Sequence, residues 1–386
     1  MTCAACDLAI LGAGSAGLSL AAALADSAIA DSLRVVVIEA HPNTPPERCF
    51  AFWATPVELD ALAWPLLGQW RYWRFAERAG RQAVHDGGNA RRYAAVSSLV
   101  HRQYCLQRLQ QRPKFELITG VAVTDLNFDH EAVEVRADGF QLQARHVVDT
   151  RNHADRDPFP ALLYQQFAGR VLQLNQPLET VRQADIMTDM SVDDYGFRFV
   201  YRLPLTSNRL LVEETRFTPR ILPWRRLEEE NWQAVGMFGD ARPVCSERGI
   251  IPMGLCPAPQ SSDPKIRRAG ARGGAVRAAS GYAFRRIQDW ARLNARRVER
   301  HGLGALVGHP PEPRWRAAMD QLFLRVLQRY PERAPALFVD LARNAGSVAL
   351  ADFLSDRGGL ATAARIIRAM PALLFLATAL KGGRHD

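Results

Sequence analysis

Short apolar runs and one small-residue helix pattern alternate along the first forty residues. Residues 7–11 and 34–38 are apolar runs with the length and composition of buried parallel strands, and the alanine-rich segment between them predicts a helix. The order strand, helix, strand indicates the opening unit of an α/β domain with a parallel sheet.

A second set of strand patterns follows a predicted helix at residues 100–111. The strand-like segments are 116–118, 120–123, 132–135, 140–142 and 146–149. Their short lengths and close spacing indicate a small β-meander. The last segment has an apolar centre and predicts a further buried strand that ends in Asp149.

Two other patterns occupy the rest of the chain. From residue 169 the sequence becomes β-rich, with strands predicted at 171–174, 197–205 and 209–215. Amphipathic helices are predicted near the C-terminus, around 319–329, 336–343 and 360–380. The predicted units are a first domain at 1–168, a β-rich domain at 169–260, a return to the first domain at 261–300 and a helical region at 301–386.

The turn after the first strand has the pattern Gly-x-Gly-x-x-Gly. Gly12 permits the tight turn, and Gly14 allows the backbone around Ala13 to approach a pyrophosphate. Gly17 allows the helix to pack on the strand, and Glu39, at the end of the second strand, would accept hydrogen bonds from a ribose 2′-hydroxyl. The pattern therefore predicts a dinucleotide site that disfavours a 2′-phosphate.

The sequence beyond this unit favours FAD over NAD as the dinucleotide. The alternation of strands and helices that NAD dehydrogenases usually continue gives way to a Pro- and Trp-rich stretch at residues 42–73. The β-meander and the strand ending in Asp149 are typical of the FAD-binding half of flavoprotein hydroxylases and reductases. A second glycine-rich stretch, with Gly273 and Gly274, precedes a helix and would bring backbone N–H groups to the flavin edge.

Composition restricts the remaining function classes. The chain has 386 residues, of which 48% are hydrophobic and 23% charged, so it is a globular protein with a large core rather than a disordered or fibrous one. Its net charge is +9. Basic proteins often bind nucleic acid, but the sequence has no zinc-finger spacing, RNA-binding signature or basic heptad region, so we expect no nucleic-acid partner.

Cysteine spacing and hydropathy exclude two further interpretations. Cys3 and Cys6 form a C-x-x-C without a second pair at a matching distance, so we expect no metal site. No apolar run reaches the roughly 18 residues that a membrane-spanning helix needs. The apolar opening segment is explained better by a strand and a helix than by a signal peptide, and the sparse cysteines suit a reducing cytoplasm.

Glu213 and Glu214 lie at the end of the strand predicted at 209–215. Neighbouring side chains of a strand point to opposite faces, so one carboxylate should face the interior and the other solvent or a second layer. A carboxylate that faces an apolar cavity has its pKa raised by desolvation, which suits a general acid near neutral pH. Periodicity does not decide which of the two points inward, and an exposed acidic strand end is the alternative.

Several longer motifs are spread over nearly the whole chain. They are residues 47–53 (Glu-Arg-Cys-Phe-Ala-Phe-Trp), 195–201 (Tyr-Gly-Phe-Arg-Phe-Val-Tyr), 210–215 (Leu-Leu-Val-Glu-Glu-Thr) and 353–356 (Phe-Leu-Ser-Asp). Together with the dinucleotide unit, they resemble the flavin-dependent bacterial lycopene cyclases. The resemblance implies an α/β fold: a Rossmann-type FAD-binding domain like that of flavoprotein hydroxylases and geranylgeranyl reductases, an inserted β-sheet substrate domain and a helical C-terminal region.

The resemblance also implies an acid-initiated cyclisation of the linear end groups of lycopene to β-ionone rings, without net redox change. It implies Glu213 as the acid and Glu214 as a supporting carboxylate or alternative acid. Reduced FAD would be the cofactor, with NAD(P)H as a reductant that is not consumed stoichiometrically, and Arg48 joins the predicted FAD residues. Four aromatic residues are predicted to line the substrate chamber, namely Phe52, Trp53, Tyr195 and Phe197.

A membrane location follows from the implied substrate. Lycopene or another acyclic carotenoid resides in the bilayer, so we expect a cytoplasmic protein in peripheral contact with the inner face of the cell membrane. The basic amphipathic C-terminal helices, with Arg365, Arg368 and Lys381, fit that expectation, and a helical subdomain packed on the FAD domain is the alternative. Contact with other enzymes of carotenoid synthesis is compatible with this location.

Two other functions stay open at the level of sequence. An FAD-dependent monooxygenase or prenyl-chain reductase acting on a lipophilic substrate would use the same fold, with stoichiometric consumption of NAD(P)H. A carotenoid-binding protein at the membrane would hold the pigment unchanged and would tolerate Glu213→Gln. The cyclase hypothesis predicts instead that this substitution removes the reaction.

Overall fold

The computed structural model describes residues 4–128, 131–151, 161–254 and 260–381. Its strands are β1 Ala4–Leu11, β2 Val35–Glu39, β3 Cys49–Ala54, β4 Gly68–Trp70, β5 Tyr72–Glu77, β6 Gln82–Asp86, β7 Arg92–Ser97, β8 Phe115–Thr119, β9 Asp125–Phe128, β10 Val133–Ala137, β11 Phe140–Asp149, β12 Leu163–Gln173, β13 Gln183–Asp193, β14 Gly196–Thr206, β15 Arg209–Thr218, β16 Arg242–Met253 and β17 Ile266–Arg268. Its α-helices are α1 Ser15–Ala25, α2 Pro56–Asp60, α3 Ser98–Gln110, α4 Trp224–Gly236, α5 Phe284–His301, α6 Arg314–Arg329, α7 Ala334–Ala345, α8 Ser347–Leu354, α9 Leu360–Arg368 and α10 Ala372–Lys381.

One seven-stranded sheet forms the dinucleotide-binding half. Its order is β8-β2-β1-β11-β10-β9, with β17 beside β11; the first four strands and β17 are parallel, and β9 to β11 form the antiparallel meander. Helices α1, α3 and α5 share one core with this sheet, to which Leu20, Cys105 and Trp290 contribute. Leu11 pairs with Asp149 where β1 and β11 end, and this edge of a doubly wound sheet is where ligands bind.

A second seven-stranded sheet, in the order β16-β12-β15-β14-β13-β5-β6, makes up the β-rich half. Helix α4 covers part of one face, where Val212 and Val235 share an apolar cluster. The C-terminal helices pack on the other face through a large core, in which Phe197 and Phe338 stack with ring centroids 5.3 Å apart. A small third sheet, β3-β7-β4, carries the segment from Cys49 onward toward the space between the two halves.

The predicted fold class is confirmed, and several elements differ from the prediction in detail. Residues 120–123 are not a strand, because Gly120 adopts a φ of +79° and turns the chain after β8. The two segments predicted at 140–142 and 146–149 form one continuous strand, β11. These differences are local, and the parallel core of the sheet is as the apolar runs indicated.

The β-rich sheet is larger than the sequence indicated. The boundary predicted between residues 168 and 169 lies inside β12, and the sheet recruits β5 and β6 from the segment assigned to the first domain. Alternation was present in β5, where Trp73 and Phe75 are buried between half-buried neighbours, but the density of aromatic residues obscured it. The substrate side is therefore assembled from distant parts of the chain.

The C-terminal helices also differ from the single long segment predicted at 360–380. Pro371 separates α9 from α10, and the two helices are bent by 101° relative to each other. Among the described residues no single helix is long and apolar enough to cross a membrane, although this bent pair meets the length and composition criteria when taken together.

Candidate active site

A cavity of about 260 Å³ lies between the two large sheets. It extends from Ser15, at the start of α1, to Glu213 in the middle of β15. Its other walls come from β3, β12, β14, β16 and the segment before α5, and they include Arg48, Phe50, Tyr201 and Tyr282. The cavity therefore joins the predicted dinucleotide loop to one of the two predicted catalytic carboxylates.

Glu213 is the carboxylate that faces this cavity. It is buried there, and Thr215 donates a hydrogen bond from Oγ1 to its Oε1 at 3.1 Å. It forms no ion pair with any described residue. Burial, and next the carboxylate of Glu247, raise the pKa of Glu213 well above its usual range, which favours the protonated form of the side chain.

Glu214 points to the opposite face of β15, as strand alternation requires. Arg198 donates to both of its carboxylate oxygens, from Nε and Nη2, at 2.8 Å each, and the Glu214 side chain is fully buried. Burial raises the pKa of Glu214, while the Arg198 guanidinium opposes that change. Glu214 is thus held in an ion pair away from the cavity.

Glu247 is a second buried carboxylate beside Glu213, and sequence reasoning missed it. It lies on β16, and the backbone N–H of Cys49 donates to its Oε2 at 2.8 Å. Burial raises the pKa of Glu247 to about 7, although the Cys49 hydrogen bond acts in the opposite direction. The strand pattern of β16 is weak, since its first ten residues are exposed or half-buried, so only the pairing of β16 with β12 brings this residue to the site.

Three tyrosines surround the acid. The hydroxyls of Tyr93 and Tyr282 lie 3.3 Å apart, and Tyr201 lines the same cavity. Burial raises the pKa of all three phenols well above the usual range, so they are neutral and present π faces and hydroxyl groups rather than charges. None of the three was predicted, although Tyr201 is the last residue of the motif at 195–201.

Two of the predicted lining residues lie one layer behind the cavity wall. The Trp53 ring packs against Tyr93 and Tyr282, with centroids 4.7 and 5.1 Å apart. Phe52 packs against Phe284 at 5.5 Å, and it is Phe284 that lines the cavity. Both predicted residues are buried, and they pack behind the aromatic rings that line the cavity instead of lining it themselves.

The other two predicted lining residues lie away from the cavity. Tyr195 is 45% exposed in the tight turn between β13 and β14, where the Arg226 guanidinium lies 3.5 Å from its ring centre. Gly196 makes this turn possible with a φ of +116°, and the turn carries Tyr195 to the edge of the sheet. Phe197 is buried in the core between the sheet and α7, stacked on Phe338.

The glycine loop after β1 has the geometry of a phosphate cradle. Gly12 has a φ of +96°, and a Cβ at Gly17 would lie 2.0 Å from the carbonyl oxygen of Gly12, so both positions require glycine. A Cβ at Gly14 would meet no atom within 4 Å, because that side of the loop is open. The buried Ser15 hydroxyl has no described partner and borders the cavity. These features fit the diphosphate of FAD at the start of α1.

The remaining predicted cofactor residues lie around this loop. Glu39 accepts the backbone N–H of Ala13 at 2.7 Å, which fixes the acid beside the glycine turn at the end of β2. Asp149 forms an ion pair with Arg151 at 2.8 Å, and Arg48 lines the cavity. The acidic ends of β2 and β11 therefore lie at the sheet edge that the motif predicted.

Gly273 and Gly274 do not line the cavity. They form a turn in which a Cβ at Gly273 would lie 2.4 Å from the Cα of Ala269, and Gly274 has a φ of +95°. The part of this glycine-rich stretch that reaches the cavity comes later, at Ser280 and Gly281. Of the pair predicted not to bind metal, Cys3 lies outside the described residues, and Cys6 is buried in β1.

Comparisons with known sequences agree with this geometry. The family model described as lycopene cyclase protein matches residues 7–380. A lycopene beta cyclase of Synechococcus elongatus is 28% identical over 303 residues, which cover 74% of this chain and 71% of that protein. A lycopene beta-cyclase of Pantoea ananas is 27% identical over 215 residues, covering 55% and 52% of the two chains.

Solved structures share the fold at low sequence identity. A geranylgeranyl bacteriochlorophyll reductase-like protein of Thermoplasma acidophilum aligns with a TM-score of 0.62 at 11% identity, over 97% of this chain and 98% of that one. A probable FAD-dependent monooxygenase of Pseudomonas aeruginosa aligns at 0.54 and 15%, over 95% and 99%. A p-nitrophenol 4-monooxygenase of Pseudomonas putida aligns at 0.56 and 14%, over 99% and 100%. These likenesses confirm the predicted flavoprotein architecture and carry no further conclusion.

Proposed function

This chain belongs to the lycopene cyclase family, and we propose that it cyclises the linear end groups of lycopene, or of a related acyclic carotenoid, with Glu213 as the proton donor. The observation that carries the proposal is the environment of Glu213. Glu213 is buried in an aromatic cavity, which raises its pKa well above the usual range, and it has no cationic partner among the described residues. A general acid that protonates an alkene needs to carry its proton, to be shielded from water and to lie close to the substrate.

The reaction balances without any external electron. Glu213 donates its proton to the terminal double bond of the end group, which leaves a tertiary carbocation. The neighbouring internal double bond attacks that cation and closes a six-membered ring. Transfer of one ring proton to a base, such as the newly ionised Glu213, then gives the β-ionone ring. One proton is added and one is lost, so the product is an isomer of the substrate and the enzyme is an isomerase.

The cavity walls are suited to a cationic intermediate. Tyr93, Tyr201 and Tyr282 are neutral phenols whose rings offer π-electron density, and Phe50 adds a further aromatic surface. The apolar side chains of Leu203 and other lining residues exclude water, which would otherwise quench the cation to an alcohol.

FAD is the proposed cofactor in its reduced form. The open side of Gly14, the unpartnered Ser15 hydroxyl and the carboxylate of Glu39 are the residues that would hold its diphosphate and ribose. When bound, reduced flavin supplies negative charge that stabilises a nearby cation. NAD(P)H would restore the reduced state without being consumed in proportion to product.

The test is an anaerobic assay of the purified holoenzyme with lycopene in liposomes and chemically reduced FAD, without nicotinamide. We expect monocyclic or bicyclic carotene that carries deuterium from D₂O. A product heavier by oxygen, formed only with NAD(P)H and air, would instead indicate a monooxygenase. Bound lycopene that is recovered unchanged under every condition would indicate a carotenoid-binding protein.

Cofactor binding has its own test at the glycine loop. Gly14→Val places a side chain in the open space of the loop, so we expect a folded protein that lacks the visible absorbance of flavin. Gly236→Val is the matched control, because a Cβ at Gly236, at the end of α4, also meets no atom within 4 Å. Normal flavin content in the Gly14 variant would contradict the proposed cradle.

Peripheral contact with the inner face of the cell membrane is also part of the proposal. Helices α9 and α10 expose large apolar side chains, with Leu373 at 83% and Leu376 at 59% exposure. The exposed Arg365 and Arg368 on α9 lie near them in the chain and would attract anionic lipid. Such a surface would admit a carotenoid directly from the bilayer.

Vesicle sedimentation tests this surface. We expect the wild-type protein to sediment with phosphatidylglycerol-rich vesicles more strongly than with phosphatidylcholine vesicles. L373E/L376E should remain in the supernatant, because two charges in the bilayer interface oppose insertion. Met237→Glu, at an exposed apolar residue after α4, should sediment like the wild type. Equal sedimentation of all three proteins would contradict the proposed docking surface.

A further inference from the structure

Four residues lie on one rung across neighbouring strands of the β-rich sheet. Tyr201 pairs with Glu213 between β14 and β15, Glu213 pairs with Gly169 between β15 and β12, and Gly169 pairs with Glu247 between β12 and β16. Residues on the same rung point their side chains to the same face of the sheet. The two carboxylates therefore point to one face and are separated by a strand whose residue has no side chain.

The missing side chain at Gly169 allows these carboxylates to approach each other. A Cβ at Gly169 would lie 3.2 Å from the Cβ of Glu213 and 3.2 Å from the Cγ of Glu247, so both side chains lean over the same point. The backbone at Gly169 is not in the left-handed region, so conformation alone does not require glycine there. Glycine is needed there because the side chains of Glu213 and Glu247 occupy the space next to the Gly169 Cα.

Two buried carboxylates this close cannot both be ionised at modest cost, because each charge opposes the other. Neither Glu213 nor Glu247 forms an ion pair with a described residue. The groups that face the pair are the Cys49 N–H and thiol, the Thr215 hydroxyl and the three tyrosine hydroxyls, while Glu47 and Arg48 act from farther away. One proton held between the two carboxylates would relieve this repulsion.

The two carboxylates do not compete equally for that proton. The backbone N–H of Cys49 is a fixed donor, and it stabilises the ionised form of Glu247 more than the protonated form. The Thr215 hydroxyl beside Glu213 can rotate, so it can donate to a carboxylate or accept from a carboxylic acid. The arrangement favours an ionised Glu247 and a protonated Glu213.

We propose that Glu247 is a positioning residue of the active site, which shares one proton with Glu213 across Gly169 and keeps that proton on the acid that faces the substrate. This inference rests on the proposed function, because it concerns the acid that starts the cyclisation. Glu247 does not line the cavity and acts through Glu213. Gly169 is the position that permits the pairing.

The test is the pH dependence of kcat in Glu247→Gln holoenzyme. Removal of the neighbouring negative charge lowers the pKa of Glu213. The alkaline limit of kcat, which is the pH above which kcat falls because Glu213 loses its proton, should therefore move about one pH unit lower. On the acidic side of that limit, Glu213 is protonated in both proteins, and kcat should stay within about threefold of the wild type. Glu228→Gln is the control, because that glutamate pairs with Arg248 at the partly exposed outer surface and should leave the profile unchanged.

A second variant keeps the inference testable if Glu247→Gln folds poorly. Gly169→Ala adds a methyl group in tight contact with both side chains and pushes them apart, so the alkaline limit should move in the same direction by about half a pH unit. An infrared pH titration should show the carboxylic acid band of Glu213, absent in Glu213→Gln, disappearing at lower pH in both variants.

The outcomes separate this inference from the proposed function. If the wild type cyclises lycopene and the alkaline limit is the same in wild type, Glu247→Gln and Gly169→Ala, the inference of a shared proton is wrong. The proposed cyclase function is then unaffected. If the wild type forms no cyclised product at any pH, the proposed function fails. The infrared titration then still decides whether the two carboxylates share a proton.

Discussion

The two faces of the β-rich sheet surround their acidic residues with different partners. On the face toward α4, Glu214 pairs with Arg198, and Arg216 is fully buried between Glu230 and Asp193. On the cavity face, Glu213 and its partner carboxylate have no cationic neighbour within ion-pair distance among the described residues. Adjacent glutamates of one strand thus have opposite surroundings, because Glu214 faces a cation whereas burial and a like charge favour the protonated form of Glu213.

The first prediction compares the two adjacent glutamates directly and carries the largest effect. Glu213→Gln should lower cyclisation by about 10³-fold or more, because the amide cannot protonate an alkene. Its free energy of unfolding should change little, since a neutral acid is replaced by a neutral amide. Chromatography of products and urea denaturation of the same preparation measure both quantities.

Glu214→Gln should show the reverse pattern. It leaves the Arg198 guanidinium without its carboxylate and should cost about 1–3 kcal/mol of stability. Cyclisation at a temperature where the variant is folded should stay within about tenfold of the wild type, because this side chain does not face the cavity. An inactive, fully stable Glu214→Gln protein would mean that the two glutamates have been assigned the wrong roles.

The second prediction tests the ion-paired face by itself. Arg216→Met should destabilise the protein by about 2–4 kcal/mol, since it removes the buried cation between two carboxylates and leaves only the half-buried Arg226 to pair with them. Arg225→Met removes an exposed pair with Glu229 on the same helix and should cost less than about 1 kcal/mol. Equal effects in urea denaturation would contradict the difference between buried and exposed pairs.

The contrast between the faces also shows what the sequence could predict. The dinucleotide loop was predicted residue by residue, because Gly12, Gly14 and Gly17 act through a local turn and Glu39 follows the next strand directly. The alternation of β15 predicted that Glu213 and Glu214 would separate, but only the register of β14, β15 and β12 shows which one faces the cavity. The paired carboxylate on β16 comes from 34 residues farther along the chain and has no local signal.

Two of the predicted aromatic residues lie away from the cavity for the same reason. Tyr195 and Phe197 were assigned to the chamber because they lie in a motif, yet the tight turn at Gly196 sends one to the surface and the other into the core. Tyr282 reaches the site from a loop that sequence patterns could place only near the flavin. Side-chain direction at a strand end depends on the turn beside it, and the sequence specifies that turn less clearly than the strand.

The third prediction uses pH to separate the faces. Burial by itself would raise the pKa of Asp193, but hydrogen bonds from Arg216 and from the Tyr195 N–H lower it to about 2. The stability that this ion pair contributes is therefore present above about pH 3.9, the usual aspartate pKa, and is lost as the pH falls toward about 2. Glu213 behaves oppositely, since its activity is present at low pH and is lost as the pH rises through its elevated pKa.

Urea denaturation between about pH 5 and pH 2 measures the acidic side of this prediction, with Asp193→Asn as the comparison. The wild type should lose more stability than the variant over that range, because the amide does not titrate. If both proteins lose stability in parallel, the Asp193 ion pair contributes nothing measurable in acid.

The smallest predicted effect concerns the single hydrogen bond that Glu213 receives. Thr215 is fully buried, and Thr215→Val removes its hydroxyl with almost no change in shape. Without this bond the carboxyl group is less well oriented, so kcat should fall about fivefold, which corresponds to a hydrogen bond of about 1 kcal/mol. The hydroxyl also lowers the pKa of Glu213, so its removal should move the alkaline limit of kcat slightly upward, opposite to the effect of removing a neighbouring charge.

Thr215→Ser keeps the hydroxyl and should retain both kcat and the pH profile. A profile that moves downward in Thr215→Val would mean that the threonine stabilises the protonated form instead of the ionised one. The sign of this small shift therefore tests whether burial and the neighbouring Glu247 carboxylate alone raise the pKa of Glu213. A downward shift would mean that the Thr215 hydroxyl also helps to keep Glu213 protonated.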